Sequence, residues 1–241
     1  MDWQKEYEKR LTTAEQAVTI VKSGDHVAIP VYSNPSLIAG ALANRLNELR
    51  GVTVHIGAAA SDLPWYQPEA AAAFMIEPWY TSPYLPKAIR QMINEKRSDH
   101  RVCPSALLCK AWDEARPDSP RPDVAILDVS PPDHNGFVSL GAGVWDKKEL
   151  VKYARTAIAE VNKSFIRTGG DNFIHLSEIA AFVEIPGSEE FRPPFPAVDV
   201  NDTVKKIASY VAPLIRDGDT IEVGAGSTSE AIVTAGIFAG R

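Results

Sequence analysis

The 241-residue chain carries 25 Lys and Arg against 31 Asp and Glu, a net charge of −6, with 45% apolar residues. That balance, with no basic run, excludes a nucleic-acid surface, and no stretch approaches the roughly 18 apolar residues of a membrane span. The charged start MDWQKEYEKR lacks the apolar core of a secretory signal. Cys103 and Cys109 form neither a CxxC pair nor a disulfide framework, so buried thiols in a reducing, cytoplasmic compartment are expected.

Thr13-Ala-Glu-Gln16 has the form of a capping box, and Ala17, Val18, Ile20 and Val21 give the helix it opens an apolar face. Val27 and Ile29 alternate as in a strand. Ser36 to Leu49 carries Leu37, Ile38, Ala41, Leu42, Leu46 and Leu49, a helical stripe that Gly51 ends before a strand over Val52 to Ile56. This β–α–β order predicts an open, mostly parallel sheet flanked by helices, an α/β fold. Glu69 to Met75 and Pro86 to Lys96 read as helices, separated by the proline- and aromatic-rich loop EPWYTSPYLP. Asp123 to Val129 is a near-continuous apolar strand of the type buried on both faces. Lys147 to Ala159 reads as a helix with Ile158 to Val161 turning to strand, and Ile179 to Val183 is the better strand within 174–183. Pro186 to Pro196, PGSEEFRPPFP, is the best domain boundary.

The chain also repeats itself. Residues 21–39, VKSGDHVAIPVYSNPSLIA, align without a gap on residues 215–233, IRDGDTIEVGAGSTSEAIV, with Gly24 on Gly218. Each copy has a basic residue, Gly-Asp, a short apolar alternation, a loop of small residues and an apolar run. Internal repetition of this kind points to duplicated units. Residues 1–190 then form one domain. Residues 191–241 form a linker and the opening helix–strand–helix of a second, similar domain.

Several segments could carry chemistry. The loop Gly224-Ala-Gly226-Ser227-Thr228-Ser-Glu230 joins a strand to a helix, where backbone amides can meet an oxyanion or phosphate. It matches neither the GxGxxG nor the GK[ST] pattern, and a tight turn with no ligand is an equal reading. Its twin, Pro30-Val-Tyr-Ser33-Asn34-Pro35, occupies the equivalent point, and ligands of open α/β sheets lie at such strand ends. Ser130-Pro-Pro-Asp133-His-Asn-Gly136 is either a ligand-facing loop or a rigid hairpin turn, the latter favoured by Asn135-Gly136. Arg167-Thr-Gly-Gly-Asp171 could hold an anion, or Gly169-Gly170 is a turn with Asp171 as its acceptor. His175 reads as a hydrogen-bonded core histidine, and His134 has no second ligand at metal spacing. Glu222 and Glu230 have sufficient structural readings on a strand and in a helix's first turn.

Together these strings resemble the acetyl-CoA hydrolase/transferase family, among the class I CoA-transferases. The resemblance is carried by Lys22-Ser-Gly-Asp25, Asp123-Val-Ala-Ile, Ser130-Pro-Pro-Asp-His-Asn-Gly136, Ser139-Leu-Gly141, Glu160-Val-Asn162, Arg167-Thr-Gly-Gly-Asp171, Ile174-His-Leu-Ser-Glu178 and Asp217-Gly-Asp219 with Gly224-x-Gly226. Ile166 and Ser229 depart from it, standing where the family usually has Pro. The resemblance implies two similar CoA-transferase-like α/β domains with coenzyme A, as substrate, and a small carboxylate between them, and no metal. It implies a glutamate nucleophile passing through a glutamyl-CoA thioester, located beyond Arg241, so that the chain alone is inactive. On this reading Gly224, Gly226, Ser227 and Thr228 bind coenzyme A, and Ser33, Asn34 and Pro35 face the substrate. The partners are acyl-CoA, a small carboxylate and the missing carboxy-terminal half or a second subunit, in a homo- or hetero-oligomer. The alternatives are an acyl-CoA hydrolase of the same family and a non-catalytic ligand-binding or structural subunit.

Overall fold

The computed structural model describes residues 2–31, 33–57, 62–79, 87–99, 105–187, 198–224 and 226–239. The chain divides into two compact units, residues 1–194 and 195–241. In chain order the first unit contains α1 (Trp3–Arg10), α2 (Ala14–Ala17), β1 (His26–Ile29), α3 (Ser36–Ala43), β2 (Val52–Ile56), β3 (Phe74–Pro78), α4 (Lys87–Asn94) and α5 (Ser105–Asp113). It continues with β4 (Val124–Val129), β5 (Phe137–Ser139), α6 (Lys147–Tyr153), β6 (Thr156–Val161), β7 (Phe173–His175) and β8 (Ala181–Glu184). The second unit contains α7 (Asp202–Val211) and α8 (Ser227–Thr234). No described helix is long and apolar enough to cross a membrane.

Six parallel strands form one sheet in the order β3-β2-β1-β4-β6-β8, and β5 and β7 form an antiparallel pair. The chain runs outward from β1 through β2 to β3, then returns to β4 beside β1 and runs outward the other way. The winding direction therefore reverses between β1 and β4. Both faces of the sheet are covered, which is why the central strands read as unbroken apolar runs. Val124, Ile126 and Ile158 pack in the layer of α3, while Ala125, Leu127, Ala157 and Ala159 pack in the layer of α5 and α6. Each such aliphatic side chain contributes about 1.5–3 kcal/mol when fully buried.

The structure corrects several expected elements. Glu69 to Met75 is not a helix: a short 3-10 turn covers Pro68–Ala70, and Phe74–Pro78 joins the sheet beside β2. The alanine-rich run favours helix locally, but pairing with β2 and burial of Phe74 and Ile76 outweigh that propensity. The helix opened at Ser36 stops at Ala43 and tightens into a 3-10 turn over Asn44–Asn47. There the Arg45 guanidinium reaches back to the carbonyls of Val18 and Val21. The helix begun at Lys147 ends at Tyr153, and β6 starts at Thr156 rather than Ile158. α1 and α5 had no counterpart in the pattern reading. Of the expected loop EPWYTSPYLP, Glu77 and Pro78 instead end β3, and residues 80–86 lie outside the described residues, as do much of the proline-rich boundary and Cys103, while Cys109 is half-buried in α5.

The two copies of the repeat share local geometry. Gly24 and Gly218 both take positive φ, +83° and +87°. Lys22 N donates to Asp25 Oδ2 at 2.9 Å, and Arg216 N donates to Asp219 Oδ2 at 2.8 Å. A 3-10 turn precedes each, Val18–Ile20 in one and Ala212–Leu214 in the other. The copies part after this point. β1 is paired on both sides, whereas the strand expected near 220–224 has no ladder partner among the described residues. Ile221 and Val223 there are 43% and 47% exposed.

Gly57 fixes how closely the exits of β1 and β2 approach. Its amide donates to Ile29 O at 2.9 Å, and a Cβ on it would stand 2.3 Å from Val31 N. Backbone cannot yield as a flexible side chain can. Gly57→Ala is therefore expected to lower unfolding free energy by about 1–3 kcal/mol. Gly169→Ala, with open space at its Cβ position, should stay within about 0.5 kcal/mol of the parent in the same denaturant titration.

Candidate functional site

In an open parallel sheet, the carboxyl ends of the strands diverge where the winding reverses, leaving a crevice for ligand. Here that point lies between β1 and β4. The loop from β1 to α3 crosses it, and two acidic residues stand beneath. Asp128 and Glu160 are register partners on β4 and β6, so their side chains emerge from the same face of the sheet. Both are buried.

Asp128 is tied to the loop through a closed set of bonds. The Ser33 hydroxyl donates to Oδ1 at 2.6 Å and accepts from the Asp128 amide at 3.1 Å. The Asn34 amide donates to Oδ2 at 2.9 Å. The charge is met by Lys147, whose wholly buried Nζ lies 2.6 Å from Oδ1 and also donates to Leu140 O at 3.2 Å. Lys147 further lies 5.1 Å above the Phe165 ring. An ion pair removed from water in this way persists only because its remaining hydrogen-bonding groups are satisfied.

Glu160 holds the other end of the loop. Its Oε2 accepts from the amides of Leu37 at 2.9 Å and Ile38 at 3.0 Å, both in the first turn of α3. A carboxylate there suits the positive end of the helix dipole. Its Oε1 has no hydrogen-bond partner among the described residues. Burial pushes the Glu160 carboxyl up to about 7; the Ile38 and Leu37 amides oppose this, and the nearby Asp128 charge adds to it. Asp146, at the start of α6, is also buried and is pushed up to about 6 by desolvation, partly offset by the backbone amides of Asp146 and Val31.

Ser33, Asn34 and Pro35 thus all sit on the crossover loop, in different settings. The Ser33 hydroxyl is buried and engaged by Asp128. Pro35 is buried at the N-cap of α3, and the Asn34 side chain is exposed with no hydrogen bond among the described residues. In the second unit, Gly224, Gly226, Ser227 and Thr228 are exposed around the start of α8. Gly226 is its N-cap, and no side chain among the described residues caps the helix.

The remaining motifs are knitted into the fold. Asp133 Oδ1 accepts from the Asn135 and Phe137 amides, both at 2.9 Å. Arg167 binds Asp133 Oδ2 at 3.0 Å, Ser130 Oγ at 2.8 Å and two carbonyls of the same loop. Burial tends to raise the Asp133 carboxyl, but these amides and the guanidinium outweigh it and hold it below the usual range. Arg167 is therefore a staple across the SPPD turn. Gly170 takes φ +81°, as a turn requires, but Asp171 pairs with Lys148 instead of capping that turn. His175 meets the Trp3 ring edge-on at 4.3 Å and caps the Ser177 amide. No cluster of His, Cys, Asp or Glu suited to a metal is found among the described residues.

Pattern reading missed Asp128, Lys147 and Glu160 as site residues. A signal was present: an Asp inside VAILDV and a Glu inside TAIAEV, each a lone acid in an otherwise buried strand. Lys147 gave none, since a lysine opening a polar helix reads as solvated. Breaking the pair should be costly. Lys147→Met leaves Asp128 uncompensated and should lower stability by about 3–5 kcal/mol. Adding Asp128→Asn to Lys147→Met should recover part of that loss, giving a coupling of about 0.5–3 kcal/mol in a denaturation cycle. Losses that simply add would show that the two charges do not depend on one another.

Comparison with known proteins agrees with this architecture. The family model for the acetyl-CoA hydrolase/transferase N-terminal domain matches residues 1–195. A 4-hydroxybutyrate coenzyme A transferase of Clostridium kluyveri is 30% identical over 236 residues, covering 97% of this chain and 52% of that protein. A crystal structure of 4-hydroxybutyrate CoA-transferase from Porphyromonas gingivalis superposes with a TM-score of 0.67 at 25% identity, covering 97% of this chain and 52% of that one. RipA from Yersinia pestis shares the fold, with a TM-score of 0.81 at 23% identity and coverage of 97% and 55%. The chain spans about half the length of the curated relatives it matches. It belongs to the acetyl-CoA hydrolase/transferase family, whose N-terminal domain occupies most of its length.

Proposed function

We propose that this chain supplies the amino-terminal part of an acyl-CoA:carboxylate CoA-transferase. The observation that carries the reading is the crossover loop: at the carboxyl ends of the parallel strands buried Asp128 holds Ser33 and Asn34, and buried Glu160 holds Leu37 and Ile38 just after them, in a chain of this family. A glutamate carboxylate beyond Arg241 attacks the acyl-CoA thioester carbon and expels the CoA thiolate, leaving a mixed anhydride. The thiolate attacks the glutamyl carbonyl and releases the acyl carboxylate, leaving a glutamyl-CoA thioester. An incoming carboxylate reverses the two steps and departs as the new acyl-CoA. Asn34, with its side chain exposed, and Pro35 border the acyl side, with Ser33 shaping the loop. The amides around Gly224, Gly226, Ser227 and Thr228 face coenzyme A. In a hydrolase of the same family, water would take the acceptor's place.

The partner is a further polypeptide that continues the second unit. Tyr210, Leu214, Ile221, Val223 and Phe238 are exposed there, a set that supports docking against another apolar layer. The small core of that unit is Ala208, Ile215 and Ile237 with a few partly buried neighbours. Residues 220–224, without a ladder partner among the described residues, could add their backbone to a neighbouring strand.

The test is coenzyme A transfer from an acyl-CoA to acetate, with a lane lacking acceptor to detect hydrolysis. The chain alone should be inactive, and co-expression with the carboxy-terminal half of a complete relative should restore transfer. Turnover by the chain alone, abolished by Glu230→Gln, would place the nucleophile in α8 and overturn the reading.

A further inference from the structure

We infer that Glu160 is a positioning residue for the crossover loop: its ionised carboxylate anchors the first turn of α3 and so sets Ser33–Pro35, and protonation at the unpartnered Oε1 slackens that hold. The inference rests on the proposed reading of Ser33–Pro35 as the substrate-side loop. Its geometry is independent of that reading.

Glu160 and Asp128 grip the same short stretch from neighbouring strands, Asp128 through Ser33 and Asn34 and Glu160 through Leu37 and Ile38. The span between the two grips is stiff. Pro35 has its φ fixed by its ring, and the Ser36 amide donates to Asn34 O at 2.8 Å. The Ala39 amide donates to Pro35 O at 2.9 Å, joining the loop to the helix. A displacement at Leu37 and Ile38 is therefore passed to Asn34 rather than absorbed.

Ionisation changes the strength of one grip. A carboxylate accepting two amides makes charge-assisted bonds, roughly twice as strong as those of a neutral acid. The proton has a place to go, because Oε1 is buried with no hydrogen bond among the described residues while Oε2 keeps both amides. The groups that face Glu160 are few. They are the α3 amides of Ser36, Leu37 and Ile38, and the Asp128 carboxylate of β4, itself paired to Lys147 of α6. Its register partner on β8 is the apolar Val183. No cation contacts Glu160 directly among the described residues, so Asp128 repulsion and burial both favour the neutral form. The carboxyl is raised to about 7, which places the change near neutral pH.

Linkage fixes the sign. A carboxyl raised in the folded state contributes stability that is fully present below its unfolded pKa and is lost as pH rises through the folded value of about 7. The ionised state thus grips the loop more firmly at the expense of global stability.

The test is an amide titration of the uniformly 15N-labelled full chain. The Leu37 and Ile38 amides should move downfield with a midpoint near 7, the value to which burial raises Glu160, and Ser33 and Asn34 should move with the same midpoint. In Glu160→Gln, which keeps an acceptor oxygen but no charge, the Leu37 and Ile38 amides should be flat through that range, and Ser33 and Asn34 should lose the step near 7 and keep only what Asp146, beside the Val31 amide, imposes near 6. Titration of Leu37 and Ile38 with Ser33 and Asn34 unmoved would make Glu160 a helix cap and nothing more. No titration in the parent chain would also overturn the inference, and it requires no variant. In the complete transferase, Glu160→Gln should raise KM for acetate by about tenfold with kcat little changed. It should also abolish any rise in that KM below neutral pH. A complete protein with no transferase activity would contradict the proposed function alone, leaving the amide titration to decide the role of Glu160.

Discussion

The Asp128–Lys147 ion pair is the constraint on which the crossover region depends. A carboxylate at the buried end of β4 is costly, and its cost is offset only when every acceptor site is filled. The Lys147 ammonium, the Ser33 hydroxyl and the Asn34 amide fill them. Three elements that are distant in sequence, the β1–α3 loop, β4 and α6, are thereby fixed to one point. Removing Lys147 or Asp128 strands a buried charge, so the set is held together by the penalty for incompleteness more than by its own attraction.

The rest of the site follows from where the sheet reverses. Because β1 and β4 are neighbours and their connections leave in opposite directions, the β1–α3 loop starts at the point where the winding reverses and a crevice opens. Glu160, one strand further out, reaches the start of α3 and completes the support. Gly57 permits the other side of the loop to approach, since any side chain there would strike Val31. Rigid support beneath an exposed Asn34 is the arrangement expected of a scaffold that presents a loop to ligand.

Much of this was legible in the sequence. The buried parallel sheet was readable from DVAILDV and from the early β–α–β order, and the Gly-Asp repeat from the chain's own self-similarity. The positive φ at both Gly24 and Gly218, and the Asp bond that follows each, show why those two residues recur together. What escaped was decided by long-range partners. Phe74–Pro78 became a strand because β2 offered a ladder, against the helical bias of the alanines before it. An anion site at Arg167 stayed open beside the turn reading because spacing does not reveal that its donors are taken up by the SPPD turn. Lys147 was invisible because its burial depends on Asp128, nineteen residues earlier in the chain and on a different element.

The central claim is that the crossover loop is part of the sheet's own cooperative structure rather than a mobile surface loop. Native-state hydrogen exchange measured against denaturant tests it most directly. The amides of Asn34, Leu37 and Ile38 should exchange only in openings that also release Ile126 and Leu127 of β4, with isotherms that merge at low denaturant. Exchange of the three loop amides through local, denaturant-insensitive openings, with β4 still protected, would contradict it.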